Sequence, residues 1–429
     1  MSLGSDAENS GPGLRGYDRG LLSIETKPPG RMPITRRRLI AGSAAGAAAL
    51  GAGLARPAIA ASEPIRIGWL PALTGPSSSS GIATNRGTIL AVNEINAAGG
   101  VNGRQIELIT RDTQSDPTKA VNAAVELMRQ QKVHVIWGPG NSGEALAATP
   151  LIARTHVPHM DGCWADAVVD VEKYKLAFRC APSNQQVGAA ANHYVVDVLK
   201  ITDVAVLGDT TGYGTASVEA YVPMLKAKGA NVVYQGIVET SQPDLKPEML
   251  RMRDAGAKVI MPWSVNAGLL SRIMNTRGQM GWDVPIAGQT ALGSGQTKAL
   301  LEKPEYWKNV CLINFRSCSY DEQGKLPART AAFVERLHAA RIDSSDTLLS
   351  WIANGYDVPY LVAAAVQNAG SEPDQMAGYW NTVKAYPGVF GDYTWSPQNH
   401  NGYPDAEVVM CQANSFRDGT FRLAPGYAV

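Results

Sequence analysis

Charge is scarce in this 429-residue chain: 18 % of residues are charged, and 39 basic side chains nearly cancel 38 acidic ones. A nucleic-acid partner requires a clustered basic excess to meet phosphate, so that class is excluded. Cysteine is scarcer still. There are five, too few for a disulfide scaffold and without the paired CxxC spacing of a zinc site. The six histidines (His134, His156, His159, His193, His338 and His400) are scattered, and none pairs with a cysteine or carboxylate at ligand spacing. The sequence also lacks a GxSxG nucleophile elbow, an HExxH zinc helix and a GxxxxGK phosphate loop. Neither an enzyme nor a resident cofactor is expected. After residue 60 no apolar run reaches the roughly 18–20 residues of a membrane-spanning helix. What is present is 45 % apolar residues in short runs, over a length that suits two or three domains of about 100–200 residues.

The first sixty residues read as an address. They hold eight basic and four acidic side chains, leaving a mildly acidic remainder of 31 basic against 34 acidic. Arg36-Arg37-Arg38 precedes a weakly apolar Ala/Gly stretch, Ala41 to Leu54. Arg56 and the small-x-small site Ala58-Ile59-Ala60 follow it. This resembles a twin-arginine export signal, with an ordinary secretory signal as the alternative. Cleavage near Ala60-Ala61 and a periplasmic location are expected, without lipid anchoring. Met32 is the expected start, residues 1–31 being polar and patternless.

From Ile65 the chain alternates short apolar runs with helical spacing. Strands are expected at 65–70, 106–109, 133–137, 157–160 and 176–179. After Pro182 the rhythm restarts, with strands at 204–207, 232–238, 259–261, 285–287 and 310–314. Between them, Thr88, Ala91, Val92 and Ile95 share one helical face, which Gly99-Gly100 ends. Asp116-Pro117 supplies an N-cap and a first-turn proline. A helix carrying Val187 to Val198 is expected, and Pro223 should kink or delay another. Such alternation means α/β: two lobes with Rossmann-like parallel sheets, crossover helices on their faces and ligands at the strands' carboxyl ends.

Gly138-Pro139-Gly140-Asn141-Ser142-Gly143 matches GxGxxG between a strand and a helix, with Asp161 placed to meet a ribose. It follows the third strand of its set rather than the first, and Pro139 removes an amide that phosphate would need. An exported NAD(P)-dependent oxidoreductase is therefore only the alternative reading.

Several blocks, taken in order, resemble the leucine/isoleucine/valine-binding branch of type I periplasmic solute-binding proteins, receptors of ABC importers. They are Leu73-Thr74-Gly75-Pro76, Asn93-Glu94-Ile95-Asn96-Ala97-Ala98-Gly99-Gly100-Val101-Asn102-Gly103-Arg104, Asp112 to Pro117, Gly138-Pro139, Phe178 to Ser183 and Tyr213-Gly214. The resemblance implies two lobes joined by three crossovers, near Pro182, Arg316 and Pro404, closing on a ligand by hinge motion. It gives 62–181 plus 316–404 as lobe 1, and 182–315 plus 405–429 as lobe 2. A monomer that delivers a small solute to ABC permease subunits of the inner membrane follows from it, with no nucleic-acid partner. A sensor subunit of the same fold is an alternative.

The resemblance also places the site. The loop at Asn141 and Ser142 opens a helix, whose free N–H groups suit a carboxylate, and Cys163-Trp164-Ala165 matches a second carboxylate-binding loop. Relatives that take amino acids hold the ammonium with acidic groups. Here the matching positions are Asn184 or Gln186, and Thr290, all neutral. An ammonium buried without a counter-charge costs several kcal/mol in order of magnitude, so α-amino acids are expected to bind poorly. Trp164, Tyr213 and Trp263, with Ser264 beside the last, fall on cleft loops and favour a flat ligand. Ser80 leaves room where relatives are often aromatic. The expected ligand is a small, aromatic carboxylate. An amino acid or amide is the alternative within the same fold. Cys163 with Cys180, and Cys311 with Cys318, are candidate disulfides that leave Cys411 over. Free thiols are the other possibility.

Overall fold

The computed structural model describes residues 63–426. The expected export signal, its cleavage site and the start at Met32 lie outside the described residues.

The chain begins with β1 (Ile65–Trp69), α1 (Ser78–Ala97), β2 (Ile106–Thr110), α2 (Pro117–Arg129), β3 (Val135–Trp137), α3 (Ser142–Ala153), β4 (His159–Asp161) and β5 (Ala177–Arg179). These five strands form one parallel sheet in the order β2-β1-β3-β4-β5. The second run is α4 (Asn184–Asn192), β6 (Asp203–Asp209), α5 (Gly212–Ala227), β7 (Asn231–Val238), α6 (Lys246–Asp254), β8 (Val259–Trp263), α7 (Ala267–Gln279), β9 (Ile286–Gly288), α8 (Gly295–Ala299) and β10 (Val310–Phe315). Then come β11 (Ser319–Tyr320), α9 (Ala328–Ala339), α10 (Leu349–Ala369), α11 (Pro373–Trp380), β12 (Tyr386–Pro387), β13 (Asp392–Tyr393), β14 (Val408–Gln412) and β15 (Phe421–Arg422). The second sheet runs β14-β10-β9-β8-β6-β7. The α/β class with two parallel sheets is as expected from the alternating pattern. One strand departs from it: β14 joins antiparallel to β10, with Cys411 opposite Leu312.

Local chemistry sets the element ends. Asp116 caps α2 by accepting the N–H of Lys119 at 2.9 Å, and Pro117 occupies the first turn, where its missing N–H costs nothing. Thr88, Ala91, Val92 and Ile95 of α1 are buried, as their spacing requires. The expected helix through Val198 stops at Asn192 and continues as a wider π-helical turn, His193–Val198. Pro223 lies within α5 without delaying it. The carbonyl that it deprives of a partner belongs to Glu219, which is exposed, so water can serve it.

Each of the two sheets, with the helices packed on it, forms one lobe. α10 returns from far along the chain to pack on α1 of the first lobe. At that crossing a Cβ on Gly87 would lie 1.9 Å from the Ile352 carbonyl oxygen, and one on Gly355 2.0 Å from that of Thr84. Only glycines let these two backbones come so close. The chain passes between the sheets after β5, after β10 and again before β14. Gln186 ties two of these passages together, donating from Nε2 to the Tyr403 carbonyl at 2.7 Å and to Asp405 Oδ1 at 2.6 Å.

All five cysteines are free, which corrects the candidate disulfides. Cys163 sits in a small apolar cluster with Ala145, Ala165 and Val168, whereas the Cys180 thiol donates to the Asp161 carbonyl at 3.3 Å. Cys311 faces the Tyr194 hydroxyl at 3.3 Å rather than Cys318. No helix among the described residues is long and apolar enough to cross a membrane.

Candidate functional site

Parallel strands end at the same edge of their sheet, so the loops that follow them gather there. In the first lobe those loops leave Trp69, Trp137 and Asp161; in the second they leave Asp209, Trp263 and Gly288. The two edges face each other across a cleft of about 780 Å³, part of it open to solvent. Among the described residues no Asp, Glu, Lys or Arg lines it, while seven aromatic side chains do.

The first-lobe wall is built on α3. Asn141 is its N-cap: Oδ1 accepts from the Gly143 N–H at 3.0 Å, and Nδ2 donates to Ser77 Oγ at 2.8 Å. That side chain is therefore fully engaged, and what it presents to the cleft is the helix end. Ser142 lines the cleft beside it, 1 % exposed, its hydroxyl without a hydrogen bond. Two residues further on, Glu144 is buried as well, both carboxyl oxygens without a hydrogen bond, and burial pushes its pKa up to about 7, with Asp112 and Asp116 adding to the rise. A carboxyl whose pKa is raised on folding stabilises the fold fully below its unfolded pKa, and that contribution is lost as pH rises through the folded value. Between pH 5 and 8 the stability gap between the wild type and Glu144→Gln should therefore shift against the wild type by up to about 3 kcal/mol. Urea unfolding of both proteins at the two pH values reads it, and parallel pH profiles would contradict it.

The next loop is held from behind so that one side chain reaches forward. The Cys163 N–H donates to Asp161 Oδ1 at 2.6 Å, the Asn184 N–H donates to the Trp164 carbonyl at 2.7 Å, and Arg179 donates to the carbonyl of Ala165. Trp164 alone of the three projects into the cleft. Its ring meets Tyr213 of the other lobe edge-on, with centroids 5.7 Å apart, and Phe315 at 6.5 Å. Asp161, a ribose ligand in the oxidoreductase alternative, is fully buried and committed to its own loop.

In the second lobe Asp209 does the positioning. Its carboxylate accepts from the Thr211 N–H at 3.0 Å, from the Thr211 hydroxyl and from Ser264 Oγ at 2.5 Å. The loops after β6 and β8 are thereby pinned together, and burial raises the Asp209 pKa. Tyr213 then lines the cleft, its buried hydroxyl without a hydrogen bond.

The structure thus brings Ser80, Asn141, Ser142, Trp164 and Tyr213 together in one cleft. It places the other expected residues behind it. Cys163 and Ala165 lie in the small cluster under the loop. Asn184 accepts from the Tyr221 hydroxyl, and Gln186 clamps the interlobe passages. Trp263 is 0 % exposed, its ring centroid 4.2 Å from that of Tyr221, and Ser264 serves Asp209. Thr290 is buried as well; Val265 and Gln289, next along the chain, line the cleft instead. Ser264 and Val265 are neighbours that face opposite ways, whereas Thr290 belongs to the short turn Thr290–Gly293 that Gln289 caps.

The floor of the cleft was not legible in the sequence. Trp69 and Trp137 end β1 and β3 and stack at 4.7 Å with planes 9° apart. A Cβ on Gly138 would come within 2.6 Å of Trp69, and one on Gly162 within 2.7 Å of Trp137. Their place at strand carboxyl ends was the available signal. Phe315, Trp351 and Phe390 complete the aromatic lining, and nothing in local sequence pointed to them.

The sequence profile of the periplasmic binding protein family matches residues 64–418. An "Amino acid binding protein" of Pseudomonas aeruginosa is 28 % identical over 332 residues, covering 75 % of this chain and 83 % of that one. Among solved structures, the branched-chain amino acid transporter substrate binding protein LivJ from Streptococcus pneumoniae, in complex with isoleucine, superposes with a TM-score of 0.71. The two are 23 % identical, and the match covers 84 % of this chain and 99 % of LivJ. A solute binding protein of an ABC transporter from Rhodopseudomonas palustris, in complex with 3,4-dihydroxy benzoic acid, superposes with a TM-score of 0.67 at 19 % identity, over 81 % of this chain and 93 % of that one. The relatives are solute-binding receptors rather than enzymes.

Proposed function

We infer the function of this chain from its kinship: it belongs to the periplasmic binding protein family. It is a receptor of an ABC importer, working in the periplasm, that closes its two lobes on a small aromatic carboxylate and offers the closed form to the permease. One observation carries the choice of ligand: a cleft walled by aromatic rings from both lobes has no charged side chain on its lining. A flat apolar body is favoured between such rings. A carboxylate can be held without a cation by the amide end of α3 and the idle Ser142 hydroxyl. An ammonium meets ring faces but no carboxylate on the lining. The buried acid nearest in role, Asp209, is already saturated by Thr211 and Ser264.

A second reading, an amino-acid receptor, is favoured by the names of relatives such as the P. aeruginosa protein. A thermal-shift panel of benzoates, cinnamates, dicarboxylates, leucine and short amides separates the two. A ligand at a hundred times its dissociation constant stabilises by about 2.7 kcal/mol. Aromatic acids should raise the melting temperature and leucine should not; a shift with leucine alone overturns the reading. With the responding acid, Tyr213→Ala should lose about 1–3 kcal/mol of binding while melting close to wild type. Unchanged affinity in calorimetry would remove Tyr213 from the site.

A further inference from the structure

Several polar side chains in the cleft are occupied. Asn141 and Ser77 satisfy each other, Ser80 Oγ donates to the Ser77 carbonyl at 2.9 Å, and Thr84 Oγ1 to that of Ser80 at 2.9 Å. A different set is left idle. Ser350 and Asn354 stand four apart on α10, hence on one face of that helix, and both line the cleft. The Ser350 hydroxyl is buried without a hydrogen bond. Asn354 uses Nδ2 on the Cys180 carbonyl at 2.8 Å, which leaves its Oδ1 as an acceptor beside Gly162. From the other lobe, Gln289 uses Oε1 on the Ala291 N–H, which leaves its amide nitrogen as a donor. Polar groups buried without partners are costly, so a ligand group that completes them gains specificity.

We propose that Ser350 and Asn354, joined by Gln289 when the lobes close, form a second polar subsite that takes an uncharged donor–acceptor group on the ligand, a ring hydroxyl. It rests on the aromatic-carboxylate reading and narrows it to hydroxylated aromatic acids. The group must be uncharged because no charged side chain on the lining could balance a second charge. A hydroxyl can both donate to Asn354 Oδ1 and accept from Ser350 or Gln289, which neither a hydrogen nor a methyl substituent can.

The test is calorimetry with benzoate and its 2-, 3- and 4-hydroxy isomers on the wild type and Ser350→Ala, each protein checked by thermal melting. At least one isomer should bind about tenfold or more tighter than benzoate, the equivalent of one net hydrogen bond. Ser350→Ala should bring that ratio to about threefold or less. If benzoate binds the wild type as tightly as every isomer, the subsite is overturned while the aromatic-acid reading stands. A ratio that Ser350→Ala leaves intact overturns the role given to Ser350. If leucine binds and none of the acids does, the underlying reading falls, and the subsite with it.

Discussion

Gly212→Val should leave each lobe folded and weaken ligand binding by about a hundredfold or more. In the closed arrangement the amino ends of α3 and α5 meet backbone to backbone, and a Cβ on Gly212 would lie 2.3 Å from the Cα of Gly143. No rotamer relieves a contact between two main chains, so the helices must separate. Nothing in the second lobe itself forbids a side chain at the first position of α5. The penalty therefore falls on the closed state alone. A ligand that binds both lobes must then supply the difference, and apparent affinity falls by the factor by which closed molecules become rarer. A hundredfold corresponds to about 2.7 kcal/mol, modest beside the cost of overlapping backbones. Titration calorimetry of Gly212→Val with the acid that stabilises the wild type reads the affinity, and solution scattering reads the wider lobe separation. Wild-type affinity in the variant would show that closure does not bring these helices together.

Asp357→Ala should cost about 4 kcal/mol or more of stability, the largest loss expected of any single substitution considered. Three donors converge on that carboxylate: the N–H groups of Val389 and Phe390, each at 2.8 Å, and the Tyr393 hydroxyl at 2.9 Å. The side chain is buried, and burial lifts its pKa to about 7 against those three hydrogen bonds. Truncation leaves all three donors without an acceptor, at about 1–3 kcal/mol each. It also frees the segment that carries Phe390 into the cleft, so ligand affinity should fall with stability. Asp357→Asn keeps one oxygen acceptor and should lose about half as much. Urea unfolding measures both, and a loss below about 1 kcal/mol for the alanine variant would mean that water replaces the carboxylate.

The fold was largely legible because doubly covered parallel strands must be continuously apolar, and their spacing by helices is periodic. What escaped has physical reasons. β14 joins from nearly a hundred residues beyond β10 with reversed direction, and a single apolar run carries no mark of its direction. In the site, the helix end at Asn141 and Ser142 was readable since capping is a local matter. Trp263 and Thr290 were not, because the first is drawn into the core against Tyr221 and the second into the short turn that Gln289 caps, both set by tertiary packing. Ser350 and Asn354 arrive on α10, whose neighbours in space lie far earlier in the chain, Asn354 donating to the Cys180 carbonyl 174 residues back. Their membership in the cleft is a property of α10 crossing α1, which local spacing does not encode.

The placement of the tryptophans has an optical consequence. Of nine, Trp263, Trp380 and Trp395 are sealed from solvent and off the cleft lining, so their emission is a steady background. Trp164 is only partly buried, and the rings that shield it, Tyr213 and Phe315, belong to the opposite lobe. Parting the lobes wets its indole and moves its fluorescence to longer wavelength; closing them reverses the change. The native chain is therefore its own reporter of hinge position, and needs no attached dye to follow solute capture in real time.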